Sequence, residues 1–135
     1  MKKAFLIVVL LLFPMLALAL EVDCKNALTT IDINHCISQE IENANHSLMH
    51  YLAKAKERYS DQATVVASID QSQQDWLVYR QSHCSSLYEL WSDGTIRGTM
   101  FGECMLKLTN QRTHQIWQDY LTYMDDTPPL LPEPK

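Results

Sequence analysis

Four cysteines, two histidines one helical turn apart and several acid pairs are the residues whose types and spacing bear on chemistry. Cys24, Cys36, Cys84 and Cys104 stand 12, 48 and 20 positions apart, with no C-x-x-C. Zinc sites need closer ligand pairs, so a metal role for the sulfurs fails on spacing. An even number in a small exported domain reads as two disulfides. Of three possible pairings, Cys24–Cys36 with Cys84–Cys104 is favoured. Each bridge then closes a modest loop between neighbouring elements, worth about 3 kcal/mol in the chain-entropy model. His46 and His50 have the i, i+4 spacing at which two imidazoles share a metal. They are weak candidates: no third ligand follows at matching spacing, and only His83 approaches across a bundle. An exposed pair on a solvated face is the plainer reading. Glu40 and Glu42, two apart on a helix, point in different directions, and Asp125-Asp126 lie in a tail that cannot hold them in place. With no G-x-S-x-G, P-loop or H-E-x-x-H, a non-enzymatic protein without a cofactor is expected. Asn45-His46-Ser47 fits a glycosylation acceptor, which matters only in a secretory system that glycosylates.

The cysteine reading depends on export, and the start of the chain supplies the signal for it. Lys2 and Lys3 precede an uncharged, almost wholly apolar run from Ala4 to Leu20, with Ala17 and Ala19 as the small residues of a cleavage site. Residues 1–19 are therefore expected to be a cleaved signal peptide. The run is short for a membrane anchor, and Pro14 interrupts it. Glu21-Val22-Asp23 before Cys24 is not a lipobox. Of 11 basic and 16 acidic side chains in the 135 residues, only Lys2 and Lys3 would be lost, leaving nine against sixteen and a net charge of -7. That balance excludes nucleic acid and anionic membrane as partners and favours a cationic one. A periplasmic or secreted location follows.

The elements that position these residues are helices. The stretch from Thr29 to Ser92 contains no Gly or Pro, as long helices require. Ile33, Ile37, Ile41, Ala44, Leu48, Leu52 and Ala55 recur at steps of three and four, predicting a helix from about Thr30 to Tyr59, capped by Thr29 or Thr30. Ser60-Asp61 breaks the pattern and is placed to cap a second helix, from about Gln62 to Leu90. Its expected inner face carries Val65, Val66, Ile69, Trp76, Leu77, Cys84, Leu87 and Trp91. Gln73 and Arg80 fall on that stripe, and Arg112 lies among apolar neighbours on a third helix, expected from about Thr99 to Met124. Half-buried arginines need acids or carbonyls around them, and Glu40, Glu42 and Glu103 are the acids expected. The three form a structural polar core, and Trp76, Tyr79, Trp91 and Trp117 read as packing. All three glycines lie between residues 94 and 102, marking a shaped link. The architecture is then all-α: a small antiparallel three-helix bundle stapled by two disulfides, over residues 20–124, with a Pro-rich tail, 125–135, unstructured or extended.

One pattern is more specific. Gln73-x-x-Trp76-x-x-Tyr79-Arg80-x-x-x-Cys84, a glycine-bearing link, and Cys104-x-x-x-x-Thr109-x-x-Arg112 resemble the LprI-like lysozyme-inhibitor domain family. Asp23-Cys24, with Cys36 twelve positions on, fits that family's start, and the likeness covers about Cys24 to Leu121. The first helix departs from the pattern: Asn45 stands in place of an Asp, Met49 in place of an Asn, and Tyr51 is shifted by one. The resemblance implies a small, exported, disulfide-bonded helical protein that binds and inhibits lysozyme. Lysozymes cleave with two carboxyl groups in a cleft, so a blocker needs a protruding, preorganised element. The Gly94–Gly102 segment, tethered by Cys84–Cys104, is the element expected. Arg97 would pair with a carboxylate, Thr95 and Thr99 would donate hydrogen bonds, and Trp91 and Ile96 would anchor. A non-inhibitory envelope interaction module of the same fold, with another cationic envelope protein as partner, is the alternative.

Overall fold

Thr29 starts the first helix by closing its own cap. Its backbone is extended, its hydroxyl accepts from the Asp32 amide, an otherwise orphaned donor of the first turn, and donates to the Asp32 carboxylate. In a computed structural model, which describes residues 22–135, three helices follow: α1 (Thr30–Arg58), α2 (Ala63–Leu90) and α3 (Arg97–Tyr120). No strand occurs among the described residues. The expected signal peptide, 1–19, lies outside them. No described helix is long and apolar enough to cross a membrane.

Two helix ends differ from expectation. Neither Ser60 nor Asp61 caps α2; Gln62 occupies that position without a side-chain bond. α3 ends at Tyr120, short of Met124, because Arg58 of α1 intervenes. Its Nη1 donates to the carbonyls of Tyr120 (2.7 Å) and Thr122 (2.9 Å), and its guanidinium sits 4.2 Å from the centre of the Tyr123 ring. A cation at a helix C-terminus satisfies orphaned carbonyls and meets the negative end of the dipole.

α3 packs against both other helices, while α1 and α2 meet at few points. Along α2 and α3, Gln73 meets Arg112, Arg80 meets Thr109 and Cys84 joins Cys104, so partners rise on one helix as they fall on the other. Along α1 and α3, Asn34 meets Thr99 and Arg58 meets Tyr120, so these two helices rise together and run parallel. The expected antiparallel bundle is compatible with this order.

The molecule is layered along its long axis. At one end, Leu48, Tyr51, Leu52 and Ala55 of α1, Ile69 of α2, and Ile116 and Leu121 form the buried apolar core. The middle is polar and holds Gln73, Arg80, Thr109 and Arg112. The far end has the two disulfides, each with Cα atoms 5.6 Å apart. Their pairing is Cys24–Cys36 and Cys84–Cys104.

The glycines serve this far end differently from the expectation of a shaped link. Gly98 and Gly102 lie inside α3, and no residue described has positive φ. They let α1 approach closely: a Cβ at Gly102 would stand 2.6 Å from Cγ2 of Ile37, and one at Gly98 would stand 2.9 Å from Nδ2 of Asn34. Close packing overrides the poor helix propensity of glycine here. Only Gly94 belongs to the link. The tail has no helix or strand but is pinned to the bundle. The Leu130 amide donates to Leu121 O, Trp117 Nε1 to Leu131 O, and Tyr51 OH to Pro132 O. Leu131 packs on the core.

Gly102→Ala should therefore cost about 1–3 kcal/mol, because the facing Cγ2 belongs to a β-branched side chain that is stiff at χ1. Gly94→Ala, whose Cβ would meet nothing nearer than 3.6 Å, should be neutral or stabilising by up to about 1 kcal/mol. Urea denaturation of the two oxidised variants measures both.

Candidate functional site

The link between α2 and α3 is built from tight turns. The Trp91 amide closes α2 on Leu87 O, Gly94 donates to Trp91 O at 3.0 Å, and Met100 donates back to Ile96 O. Cys84 and Cys104 clamp the helices about two turns behind the link on either side. The link cannot bury its large side chains against a core that lies at the opposite end. Leu90 is 72% exposed, Trp91 40% and Ile96 39%. Arg97 is exposed and stacks 4.5 Å from the centre of the Tyr88 ring, which in turn meets Phe101 edge-on. Ser85, Tyr88, Glu89 and Phe101 line a depression of about 260 Å³ beside that stack. Thr95 is exposed. Trp91, Thr95, Ile96 and Arg97 thus share one convex end of the molecule. Thr99 does not share their outward position: it is half-buried, and its hydroxyl donates to Asn34 Oδ1 at 2.7 Å, fastening α3 to α1.

Behind the tip lies the polar layer. Arg112 donates from Nε to Gln73 Oε1 (3.1 Å), from Nη1 to Gln115 Oε1 (3.0 Å) and from Nη2 to Ser72 Oγ (3.1 Å). Arg80 donates from Nη1 to Asn45 Oδ1 (2.9 Å) and to Thr109 Oγ1 (2.7 Å). The Thr109 hydroxyl in turn donates to Met105 O, and the Thr113 hydroxyl donates to Thr109 O. Trp76 lies 4.8 Å from the Arg80 guanidinium and 5.9 Å from that of Arg112, so one indole faces two cations. The acids expected here are absent from the layer: Glu40, Glu42 and Glu103 are all exposed. Both arginines bond only neutral amides and hydroxyls. Burial pulls both guanidinium pKa values below the ordinary one, and for Arg112 the nearby Tyr120 and Asp119 push partly back. Thr109, Ser72 and Gln115 were not singled out as polar-core residues, because an isolated hydroxyl or amide leaves no periodic signal.

The second helix face is narrower than expected. Leu77 is 42% exposed and Trp91 turns outward. The histidines go to separate partners. His46 faces Glu42 at 4.0 Å, His50 meets Tyr51 edge-on, and His83 stacks on Tyr79. Among the described residues, no three His, Cys, Asp or Glu side chains gather as a metal site.

A family model described as lysozyme inhibitor LprI matches residues 23–116. The chain belongs to this family. No curated protein and no solved structure matches it. The matched segment contains both disulfides, the convex tip and the polar layer of this LprI family member, and it stops before the tail. Asn45 is the residue that meets Arg80 across the two helices.

Thr109→Val keeps the shape of the side chain and removes the acceptor beneath Arg80. It should cost about 1–3 kcal/mol, the penalty of a buried, unsatisfied charged donor. Thr113→Val removes a hydroxyl that serves one backbone carbonyl and should cost less than about 1.5 kcal/mol. Chemical denaturation should rank the variants in that order.

Proposed function

We propose that this LprI family member is exported through a signal cleaved near Ala19 and binds and inhibits a lysozyme outside the cytoplasm, without catalysis of its own. The family match carries the reading. The exposed cluster of Leu90, Trp91 and Ile96 around Arg97 supports the tip as the contact surface. Apolar side chains grouped on a convex end, rimmed by polar residues, are the ordinary mark of a protein-binding patch. In this proposal Trp91 and Ile96 enter the cleft and Arg97 pairs with a cleft carboxylate. Thr95 donates a hydrogen bond, while Thr99 holds the first turn of α3 in place. Tyr88 already fixes the Arg97 guanidinium, so little side-chain freedom is lost on binding. The net charge of -7 after signal removal raises the association rate with a cationic lysozyme.

A cell-wall turbidity assay tests this. Excess oxidised protein should slow lysis, and Trp91→Ala or Arg97→Ala should weaken inhibition by about tenfold or more with an unchanged melting temperature. Full lysis in excess oxidised protein rejects inhibition. Unaltered inhibition by both variants rejects the tip.

A further inference from the structure

A second surface lies in the polar layer, away from the tip. Because α1 and α2 meet at few points, a groove of about 380 Å³ opens between them. Met49 and Leu77 form its outer walls, 59% and 42% exposed, with Leu52 deeper. Lys56 and Asp70 join across one end at 2.8 Å. Arg80, nine-tenths buried, lines the groove together with Asn45 and Gln73.

The bonding of Arg80 is one-sided. Both of its hydrogen bonds leave from Nη1, and both acceptors are neutral. Nε is buried without a partner. Among the described residues Nη2 makes no hydrogen bond, and no carboxylate pairs with the guanidinium. The Nε–Nη2 edge is the fork that matches a carboxylate with two parallel bonds. It is the unused edge here. The only anion lining the groove, Asp70, is already held by Lys56.

We infer that this groove binds a small monocarboxylate with an apolar chain, its carboxylate on the free edge of Arg80 and its chain between Met49 and Leu77. The observations favour this occupant over others. A buried cation whose fork lacks a partner calls for an anion, and the apolar walls of Met49 and Leu77 call for a hydrocarbon body. A dianion such as phosphate would find one free guanidinium edge, because Lys56 is already held by Asp70. A concave lysozyme cleft does not fit a concave groove, so this site is separate from the tip. Nε is shielded, so the ligand must displace a neighbouring side chain to reach it. Desolvation already lowers the pKa of Arg80, in keeping with a cation short of compensation.

Calorimetric titration of the oxidised protein with octanoate tests the inference, with octylamine and octyl glucoside as charge and chain controls. Octanoate should bind, and the controls should bind at least about tenfold more weakly. Asn45→Asp places a carboxylate where Arg80 now meets a neutral oxygen. It should raise the melting temperature and reduce octanoate affinity at least about tenfold. Leu77→Glu, at an exposed position, should weaken octanoate with helical content intact. On titration the Nε–H resonance of Arg80 should shift in the wild-type protein. Absence of octanoate binding at millimolar concentration, equal binding of octyl glucoside, or full affinity in both variants overturns the inference. A lower melting temperature for Asn45→Asp overturns it as well. Lysozyme inhibition by Asn45→Asp should be unchanged, which separates this site from the tip.

Discussion

Two guanidinium groups buried without a carboxylate set the terms for the rest of the molecule. Taking a charge out of water costs several kcal/mol, and a partner ion usually offsets part of this. Here the offset is spread over two amides, two hydroxyls, the Asn45 oxygen and the face of one indole. Such weak, directional partners work only if all stand in register. Gln73, Trp76 and Arg80 must share one face of α2, and Thr109 and Arg112 must meet it from α3. A slip of one residue would leave charged donors facing apolar side chains. The layer therefore specifies how α2 and α3 align more sharply than the apolar core, whose contacts are not directional.

That specification bears on the two ends differently. Beyond Arg112, Ile116 and Leu121 close a dry core, and the tail is pinned over it through Trp117 and Tyr51. Beyond Arg80 the helices have no comparable cluster of buried apolar residues. They are held by Cys84–Cys104, by Cys24–Cys36 and by the close approach that Gly98 and Gly102 allow. Thr99 and Asn34 add a hydrogen bond at the first turn of α3. Cross-linking and backbone proximity do there what hydrophobic burial does at the other end.

Much of this was legible before any coordinates. The absence of Gly and Pro between Thr29 and Ser92, with apolar steps of three and four, marks the helices, and the burial of Gln73, Arg80 and Arg112 follows from their place on the stripes. What escaped has common physical causes. Gly98 and Gly102 read as link residues because local propensity disfavours them in helices, whereas their value lies in contact with Ile37 and Asn34, some sixty positions away. Acids are expected beside the arginines from charge alone, and neutral partners such as Thr109 carry no charge pattern. The docked tail was hidden by its prolines, which exclude helix but not backbone acceptors: Leu131 and Pro132 each present a carbonyl to a ring on the bundle. The inward bond of Thr99 depends on the rotation of α3 about its axis, which spacing alone does not determine.

The division between a dry end and a stapled end bears on recognition. A surface that binds a partner needs both rigidity and exposed apolar groups, and in a small domain these compete. Side chains spent on a core are lost to the surface, and a surface without a core beneath it is mobile. Sulfur relieves the conflict, because a disulfide removes freedom from the chain without consuming large apolar side chains. Cys84–Cys104 sits directly behind the link and is itself buried. With the helices clamped there, Trp91 and Ile96 are not needed inside and remain outward. Tyr88 is free to serve as a platform for Arg97. The same economy accounts for the layering as a whole: apolar burial is concentrated at one end, and directional bonds and cross-links hold the other.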